Sequence, residues 1–371
     1  MTIEKILYIY GTICVVMILF NIVCIFGSKI NKHIIEFKSR KYYEKLKQQL
    51  VEYKNAGRIV SFSPKRAEKD FLRTINLLAF DRFMENLDKN DEYRVRMFIK
   101  EYYSMVENIT RGFLRQSPTK TAYFLHLMAK YNLCALRNDD NILDLIKQFV
   151  WKSSIYCRHN AMIVLYKAGD ETRVIEGIHI LSDEDAYTHE RILSVGLRNF
   201  HGDCQRLISA LLSELDSFKP WVQQAITNYA VEACGDLRAE MLDILNNDKY
   251  DIETHLNCIR YLGVYPYKEA YPYLISYVEN KDNPEWQYAA QACKSLVSYR
   301  SLETVYKLKA ALYSMNWNVR RNAAESLEKL EIEYSELVDI FNGNDRYAKE
   351  MMQYFLDVRK LNEGKEVEEY V

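Results

Sequence analysis

The side chains best suited to metal and acid–base chemistry are seven histidines, at positions 33, 126, 159, 179, 189, 201 and 255. A helical zinc site needs two histidines four residues apart, as in His-Glu-x-x-His. His189 and Glu190 begin this pattern, but Leu193 stands where the second histidine would be. His159 and His255 are isolated, so ordinary polar positions on or between helices explain them better than metal binding does.

Motifs for phosphate binding and nucleophilic catalysis are also missing. The chain contains no GxGxxG, no GxxxxGK[ST] and no GxSxG. The acidic run Asp183-Glu184-Asp185 stands where a helix is expected to begin, a position at which carboxylates stabilise the helix dipole. We therefore expect no catalytic residue, no metal and no cofactor, and a protein that is not an enzyme.

The eight cysteines form no metal or redox motif. Cys14 and Cys24 lie in an apolar N-terminal segment, and the other six are scattered singly without a CxxC pair. This usage is typical of reduced cytosolic thiols that pack as small hydrophobic groups.

Tyrosine is unusually abundant, with 29 copies, and five tyrosines crowd one expected helical hairpin. Tyr273 and Tyr277 lie one turn apart, beside the expected buried set of that helix: Ala270, Leu274 and Val278. A row of tyrosines would offer a rigid amphipathic surface to a protein partner. The candidate partner-binding residues are Tyr265, Tyr267, Tyr273 and Tyr277. Packing between helices, with only the hydroxyls exposed, is the open alternative.

These residues must be positioned by helices that repeat. "WQYAAQACKSL" (286–296) recurs 31 residues later as "WNVRRNAAESL" (317–327), and "CRHNAMIVL" (157–165) overlays the second of these. A period near 31 residues accommodates two short helices and two turns. The first helix of each repeat is expected to start near Ser154, Glu184, Lys219, Asp251, Pro284 and Asn316.

Amphipathic runs between these starts predict the second helix of each repeat. They cover 170–181, 204–215, 237–245, 269–278 and 302–312, with apolar residues at helical spacing. Only 12 glycines and 6 prolines interrupt the 371 residues, which favours an all-α chain. The expected repeat-core residues are Ala161, Leu165, Ala292, Leu296, Ala323 and Leu327.

The pattern resembles the HEAT family of α-solenoids. Val319-Arg320 with Ala323 and Leu327 carries the resemblance in the first helix, and Ala270-x-Pro272-x-Leu274 carries it in the second. The resemblance implies a right-handed solenoid over 118–342, with the second helices on its concave face. HEAT repeats often place an aspartate three residues before the Val-Arg pair, and here Asn316 stands there. We therefore expect the repeats to stack mainly by apolar burial rather than through an Asp–Arg ladder.

The N-terminus carries an independent signal. Residues 6–26 hold no charge, and as a helix of about 31 Å they would cross the hydrocarbon core of a bilayer. A cleaved signal peptide would have a shorter apolar region followed by a small-x-small site, which is missing here. We therefore predict a single transmembrane helix.

The charges around this segment predict its orientation. Basic residues follow it and almost none precede it, so the positive-inside rule places the C-terminal domain in the cytoplasm of a cell-membrane protein. The membrane-flank residues are Lys29, Lys32, Lys38, Arg40 and Lys41. Residues 1–60 hold ten basic and four acidic residues, a net charge of +6. The whole chain has a net charge of −1, so residues 61–371 have a net charge of −7. The basic stretch either contacts an anionic leaflet or only sets topology, and both roles can hold together.

The expected organisation has six parts. They are a short extracytoplasmic N-terminus (1–5), a transmembrane helix (6–27), a basic juxtamembrane helix and linker (28–64, with the linker near 55–70), a helical cap (65–117, as two long helices over 65–88 and 90–116), HEAT-like repeats (118–342), and a C-terminal capping helix with an acidic tail (343–371).

These features together favour a membrane-tethered, non-catalytic scaffold that binds a protein partner, itself membrane-associated. A single-span protein with a cytosolic HEAT domain is similar to accessory subunits that some bacteria place beside membrane glycosyltransferases making exopolysaccharide. A nucleic-acid-binding HEAT-like protein is the first alternative, and the net acidic charge of 61–371 opposes it, so we expect no nucleic acid. A HEAT-like lyase is the second, and no residue cluster supports it.

Overall fold

The computed structural model of the chain describes residues 3–56, 62–136, 140–152, 154–183, 188–280, 282 and 284–369. Within these ranges every regular element is a helix and no strand occurs. The all-α fold class predicted from the sequence is therefore confirmed.

The chain forms two compact units, residues 1–177 and 178–371, and the division falls within one helix. The first unit contains α1 (Ile3–Ala56), α2 (Pro64–Phe71), α3 (Thr74–Glu85), α4 (Lys89–Glu101), α5 (Tyr103–Phe113), α6 (Pro118–Lys130), α7 (Asp140–Gln148), α8 (Ile155–Ala168) and the start of α9 (Glu171–Asp183). The second contains α10 (Glu190–Leu197), α11 (Cys204–Ser213), α12 (Pro220–Ala230), α13 (Arg238–Leu245), α14 (Ile252–Val264), α15 (Tyr271–Glu279), α16 (Trp286–Ser295), α17 (Leu302–Ala311), α18 (Trp317–Lys329), α19 (Val338–Asn342) and α20 (Arg346–Glu369).

Four of the predicted first-helix starts coincide with observed N-cap residues: Ser154, Lys219, Asp251 and Asn316. The Asp251 and Asn316 side chains accept hydrogen bonds from backbone N–H groups of the first turn, which satisfies donors that a helix leaves unpaired. The start predicted near Pro284 differs by one residue from the observed N-cap of α16, which is Glu285. The start predicted at Glu184 lies outside the described residues.

Helices of the second unit pack with a regular alternation. The first helices α10, α12, α14, α16 and α18 each pack on the next one in this order, and α20 packs on α18. The second helices α13, α15 and α17 each pack on the first helix that follows, and α15 also packs on α17. Each helix pair therefore buries its apolar face against its sequence neighbours, as repeated units do.

The six residues expected in the repeat core are all fully buried: Ala161, Leu165, Ala292, Leu296, Ala323 and Leu327. The three alanines lie on α8, α16 and α18, where a small side chain allows a neighbouring helix to approach closely. Gly263 lets α14 and α16 approach each other closely, since a Cβ on Gly263 would lie 2.8 Å from the Cα of Ser295 in α16.

A ladder of asparagine side chains joins successive first helices. Asn322 of α18 donates to the carbonyl of Ala290 in α16 at 2.8 Å, and Asn257 of α14 donates to the carbonyl of Gln224 in α12 at 3.0 Å. In the first unit Asn160 of α8 makes the same bond to α6, also at 2.8 Å. Each asparagine stands six residues after its N-cap. Stacking thus combines apolar burial with amide–carbonyl hydrogen bonds that are buried or part-buried, each of which contributes about 1 kcal/mol.

Helices α2 to α5 replace the two long cap helices expected over 65–88 and 90–116. The first pattern breaks at the extended residue Arg73, and the second breaks at Tyr102, whose ring packs 4.8 Å from both Phe62 and Phe98. Part of the expected linker over 55–70 is also helical, since α2 begins at Pro64; residues 57–61 lie outside the description.

The N-terminal helix α1 is longer than expected, since it continues without a break from Ile3 to Ala56 instead of ending near residue 27. Its C-terminal part packs on α3 and buries Ser39 and Leu46. The ring of Tyr42 lies 6.1 Å from those of Phe71 and Phe83. These contacts stabilise the basic part of α1 that follows the apolar segment. In isolation this part would have no packing partner, and most helices in proteins depend on such packing.

Candidate functional site

The apolar part of α1 is exposed along its length. Among the described residues α1 is the one helix long and apolar enough to cross a membrane. Its most apolar stretch has a mean hydropathy of 2.4, and none of that stretch is buried in the chain. Large side chains such as Val16, Phe20 and Val23 point outward. The core helix of a soluble protein would bury such residues, so this segment is a candidate membrane span near the N-terminus.

The basic residues after this segment divide into two groups. Lys29, Lys32, Arg40 and Lys41 are exposed on α1. Lys38 was predicted to be a membrane-flank residue, but it is half-buried. Its Nζ donates to Oδ1 of Asn76 in α3 at 2.5 Å. Lys38 therefore joins α1 to the first unit.

The four candidate tyrosines do not form one exposed row. Tyr277 is half-buried and stacks on Tyr288 with ring centroids 5.0 Å apart, and burial raises its pKa. Tyr267 is half-buried, and its backbone N–H donates to the Tyr299 hydroxyl. Tyr265 is partly exposed and donates to the carbonyl of Val231 at 3.1 Å. Packing between neighbouring hairpins therefore uses three of them. Tyr273 is exposed, and it alone of the four makes no ring contact or side-chain hydrogen bond with the described residues.

Two large exposed side chains on α17, the helix that packs on α15, were missed by the sequence reasoning. Leu302 and Tyr306 lie one turn apart on α17, and they are 87% and 69% exposed. Tyr273 of α15, which packs on α17, is 44% exposed. We call Tyr273, Leu302 and Tyr306 the second-helix patch. The signal was present in "LETVY" (302–306), where both large side chains fall outside the buried positions Thr304 and Leu308.

An apolar cavity of about 360 Å³ lies in the first unit between the C-terminal part of α1 and helices α2 to α6. Its interior is built from rings and branched aliphatic side chains, including Phe71, Phe80, Phe98, Ile99 and Met128. The polar residues Lys45, Gln49, Arg66 and Asp70 also line it. Because its walls come from six separate helices, no local sequence pattern indicates it.

His255, His159, Cys134 and Cys293 occupy ordinary structural positions. His255 is buried, with Nδ1 2.8 Å from the Tyr288 hydroxyl and Nε2 3.1 Å from the carbonyl of Asn247. Burial lowers the pKa of His159 and raises the pKa values of Cys134 and Cys293 to about 12. The described part of the chain contains no group of three or more His, Cys, Asp or Glu residues that could hold a metal ion.

Comparison with known proteins adds no assignment to this geometry. The sequence matches no protein-family model, and it matches no curated protein.

Proposed function

We propose that the protein is a membrane-anchored, non-catalytic scaffold whose HEAT-like, right-handed α-solenoid binds a membrane-associated protein partner. The observation that carries this proposal is the second-helix patch, in which Leu302 and Tyr306 are large side chains that are mostly exposed. Exposed apolar groups of this size, set on rigid helices, suit the anchors of a protein interface.

The repeat packing supports the solenoid. First helices pack on first helices, and the second helices α15 and α17 pack on each other. The asparagine ladder recurs at equivalent positions of α8, α14 and α18, as expected of repeated units. In a HEAT-like solenoid the second helices line the concave face, so the patch would lie there.

The partner proposed for a first test follows from the resemblance to membrane-tethered HEAT accessory subunits. A membrane glycosyltransferase that makes polysaccharide is the class of partner this resemblance suggests. The excess of negative charge over 61–371 opposes nucleic acid as the partner.

We propose that residues 6–26 span the cell membrane and that residues 28–371 face the cytoplasm. The support is the exposed apolar stretch of α1 followed by the exposed Lys29, Lys32, Arg40 and Lys41. A reporter enzyme that is active only outside the cytoplasm, fused after Val371, should stay inactive. The same reporter placed before residue 6 should be active. The reverse result would overturn the orientation, and a soluble fusion protein would overturn the anchoring.

Replacing Leu302 and Tyr306 by alanine should abolish partner capture without unfolding the protein. Loss of a central interface anchor costs about 2 kcal/mol or more, which is about thirtyfold in affinity. A photo-crosslinking amino acid at Tyr273, in the same patch, would join the partner covalently in intact cells. We expect a discrete protein adduct that disappears in the Leu302→Ala, Tyr306→Ala variant.

A matched control exists on α4 of the first unit, where Tyr93 and Met97 are also exposed and one turn apart. The Tyr93→Ala, Met97→Ala variant should keep the adduct. Equal loss in both double variants would show a general effect of removing surface apolar groups. An unchanged adduct in a folded Leu302→Ala, Tyr306→Ala variant would exclude the patch as the binding site.

A further inference from the structure

We propose that the cavity beneath α1 binds a single-chain anionic amphiphile of the fatty-acid type, with its chain inside and its head group between Lys45 and Arg66. This binding site is separate from the second-helix patch and does not depend on a protein partner. The inference rests on the volume of the cavity, its lining and the charges at its mouth.

The interior of the cavity suits a hydrocarbon chain. Phe71 and Phe80 meet edge to face with centroids 5.6 Å apart, and Phe80 also contacts the ring of Phe83. Buried aliphatic side chains such as Ile109 and Leu127 complete the wall. Small-molecule sites enclose about 300–1,000 Å³ and are mostly apolar. At about 360 Å³ this cavity lies at the lower end of that range, which favours one chain rather than two.

The mouth of the cavity favours a negative head group. Lys45 of α1 and Arg66 of α2 line it and are exposed, and neither side chain makes a hydrogen bond or ion pair with any residue that the structure describes. Asp70 also lines it, so these three side chains sum to a charge of +1. A carboxylate or phosphate between Lys45 and Arg66 would gain charge-assisted hydrogen bonds that a neutral head group cannot make.

The location of the cavity is suited to a molecule that comes from a membrane. One wall consists of Tyr42, Lys45, Leu46 and Gln49, which belong to the same unbroken helix as the candidate span. Lys45 stands 19 residues after Phe26, about 29 Å along the helix axis. A two-chain lipid would have to leave the bilayer completely to reach this point, at a high cost in apolar exposure. A single-chain amphiphile loses less and exchanges more readily.

The test uses the full chain in discs of neutral phosphatidylcholine and a diazirine-bearing palmitic acid as the photo-crosslinker. We expect adducts on peptides that contain Phe71, Phe80 or Phe98. Excess palmitate or lysophosphatidate should compete, which would identify a carboxylate or a phosphate head group respectively. Uncharged hexadecanol should compete poorly. Adducts confined to residues 8–26, or equal competition by hexadecanol, would overturn the proposal.

Charge reversal at the mouth separates this site from general attraction to the membrane surface. The Lys45→Glu, Arg66→Glu variant should lose labelling about tenfold, because two charge-assisted contacts disappear. The Lys47→Glu, Lys69→Glu variant changes the same helices by the same charge at exposed positions that do not line the cavity, and it should label like the wild type. Equal loss in both variants, or loss in neither, would contradict the assigned head-group position.

Discussion

The Gly263→Val protein is expected to unfold at a markedly lower temperature than the wild type, with a loss of about 3 kcal/mol in the free energy of unfolding, the upper end of the usual cost of overpacking. A Cβ at position 263 would lie 2.5 Å from the Oγ, 2.7 Å from the Cβ and 2.8 Å from the Cα of Ser295. A change of rotamer relieves only the first of these contacts. Helices α14 and α16 must therefore move apart, which would also break the bond from the Ser295 hydroxyl to the carbonyl of Ile259.

Circular dichroism of the detergent-solubilised full chain during thermal and denaturant unfolding measures this effect. Gly27→Val is the matched control, because among the described residues no heavy atom beyond the adjoining turns of α1 lies within 4 Å of a Cβ built on Gly27. Its unfolding should match that of the wild type. If the two variants unfold alike, α14 and α16 do not approach as closely as the structure shows.

The Asp81→Ala protein should lose about 2–4 kcal/mol of stability at pH 7. The carboxylate of Asp81 on α3 accepts hydrogen bonds from the Lys130 ammonium, the Tyr123 hydroxyl and the Tyr131 hydroxyl, at 2.6–2.8 Å. All three donors belong to α6 or the residue that follows it, so one side chain joins two helices. Lys130 keeps Glu85 as a partner, and the Tyr131 hydroxyl keeps the backbone carbonyl of residue 81 at 3.1 Å. The Tyr123 hydroxyl loses its partner.

The pH dependence of this effect has a definite sign. Burial acts to raise the pKa of Asp81, but the hydrogen bonds from Lys130, Tyr131 and Tyr123 outweigh it and lower the pKa below that of an ordinary aspartate. Its stabilising contribution is therefore complete above the unfolded-state pKa of about 3.9 and disappears as the pH falls through the lower folded-state value. The stability gap between the two proteins should narrow in strong acid.

Denaturant unfolding at neutral and at acid pH tests this expectation, with Asp243→Ala as the control. Asp243 is exposed on α13, and its side chain makes no hydrogen bond or ion pair with the described residues. A gap that stays constant with pH, or one equal to that of the control, would show that the Asp81 network does not hold α3 to α6.

The positions of the repeat helices could be predicted because their signals are local. Ser154, Asp251 and Asn316 carry the N-cap information, and the buried face of each helix follows from apolar spacing. The recurrence of Asn160 and Asn322 was visible in the sequence, but their hydrogen bonds were not. Each bond joins residues 32 or 38 positions apart, and only the packed helices bring them together.

The candidate sites were harder to predict for the same reason. Tyr273 and Tyr277 look equivalent on a helical projection, yet Tyr277 stacks on Tyr288 of the next helix and Tyr273 stays exposed. The cavity forms only because α1 continues past residue 27 and contributes one of its walls. The charge pattern after residue 27 instead predicted that a separate juxtamembrane segment begins there. Contacts of Lys38 and Tyr42 with the first unit extend α1 instead.

The unbroken course of α1 fixes the angular setting of the first unit under the proposed anchoring. A straight helix turns about 100° and advances about 1.5 Å per residue. The number of residues between Phe26 and Lys38 therefore determines the rotation and the height, relative to the bilayer, of the helices packed on α1. One inserted residue would rotate the first unit by about 100° around the membrane normal. Seven inserted residues would nearly restore its orientation and move it about 10 Å further from the bilayer. The length of α1 would therefore determine which face of the first unit is turned towards a neighbouring protein in the membrane.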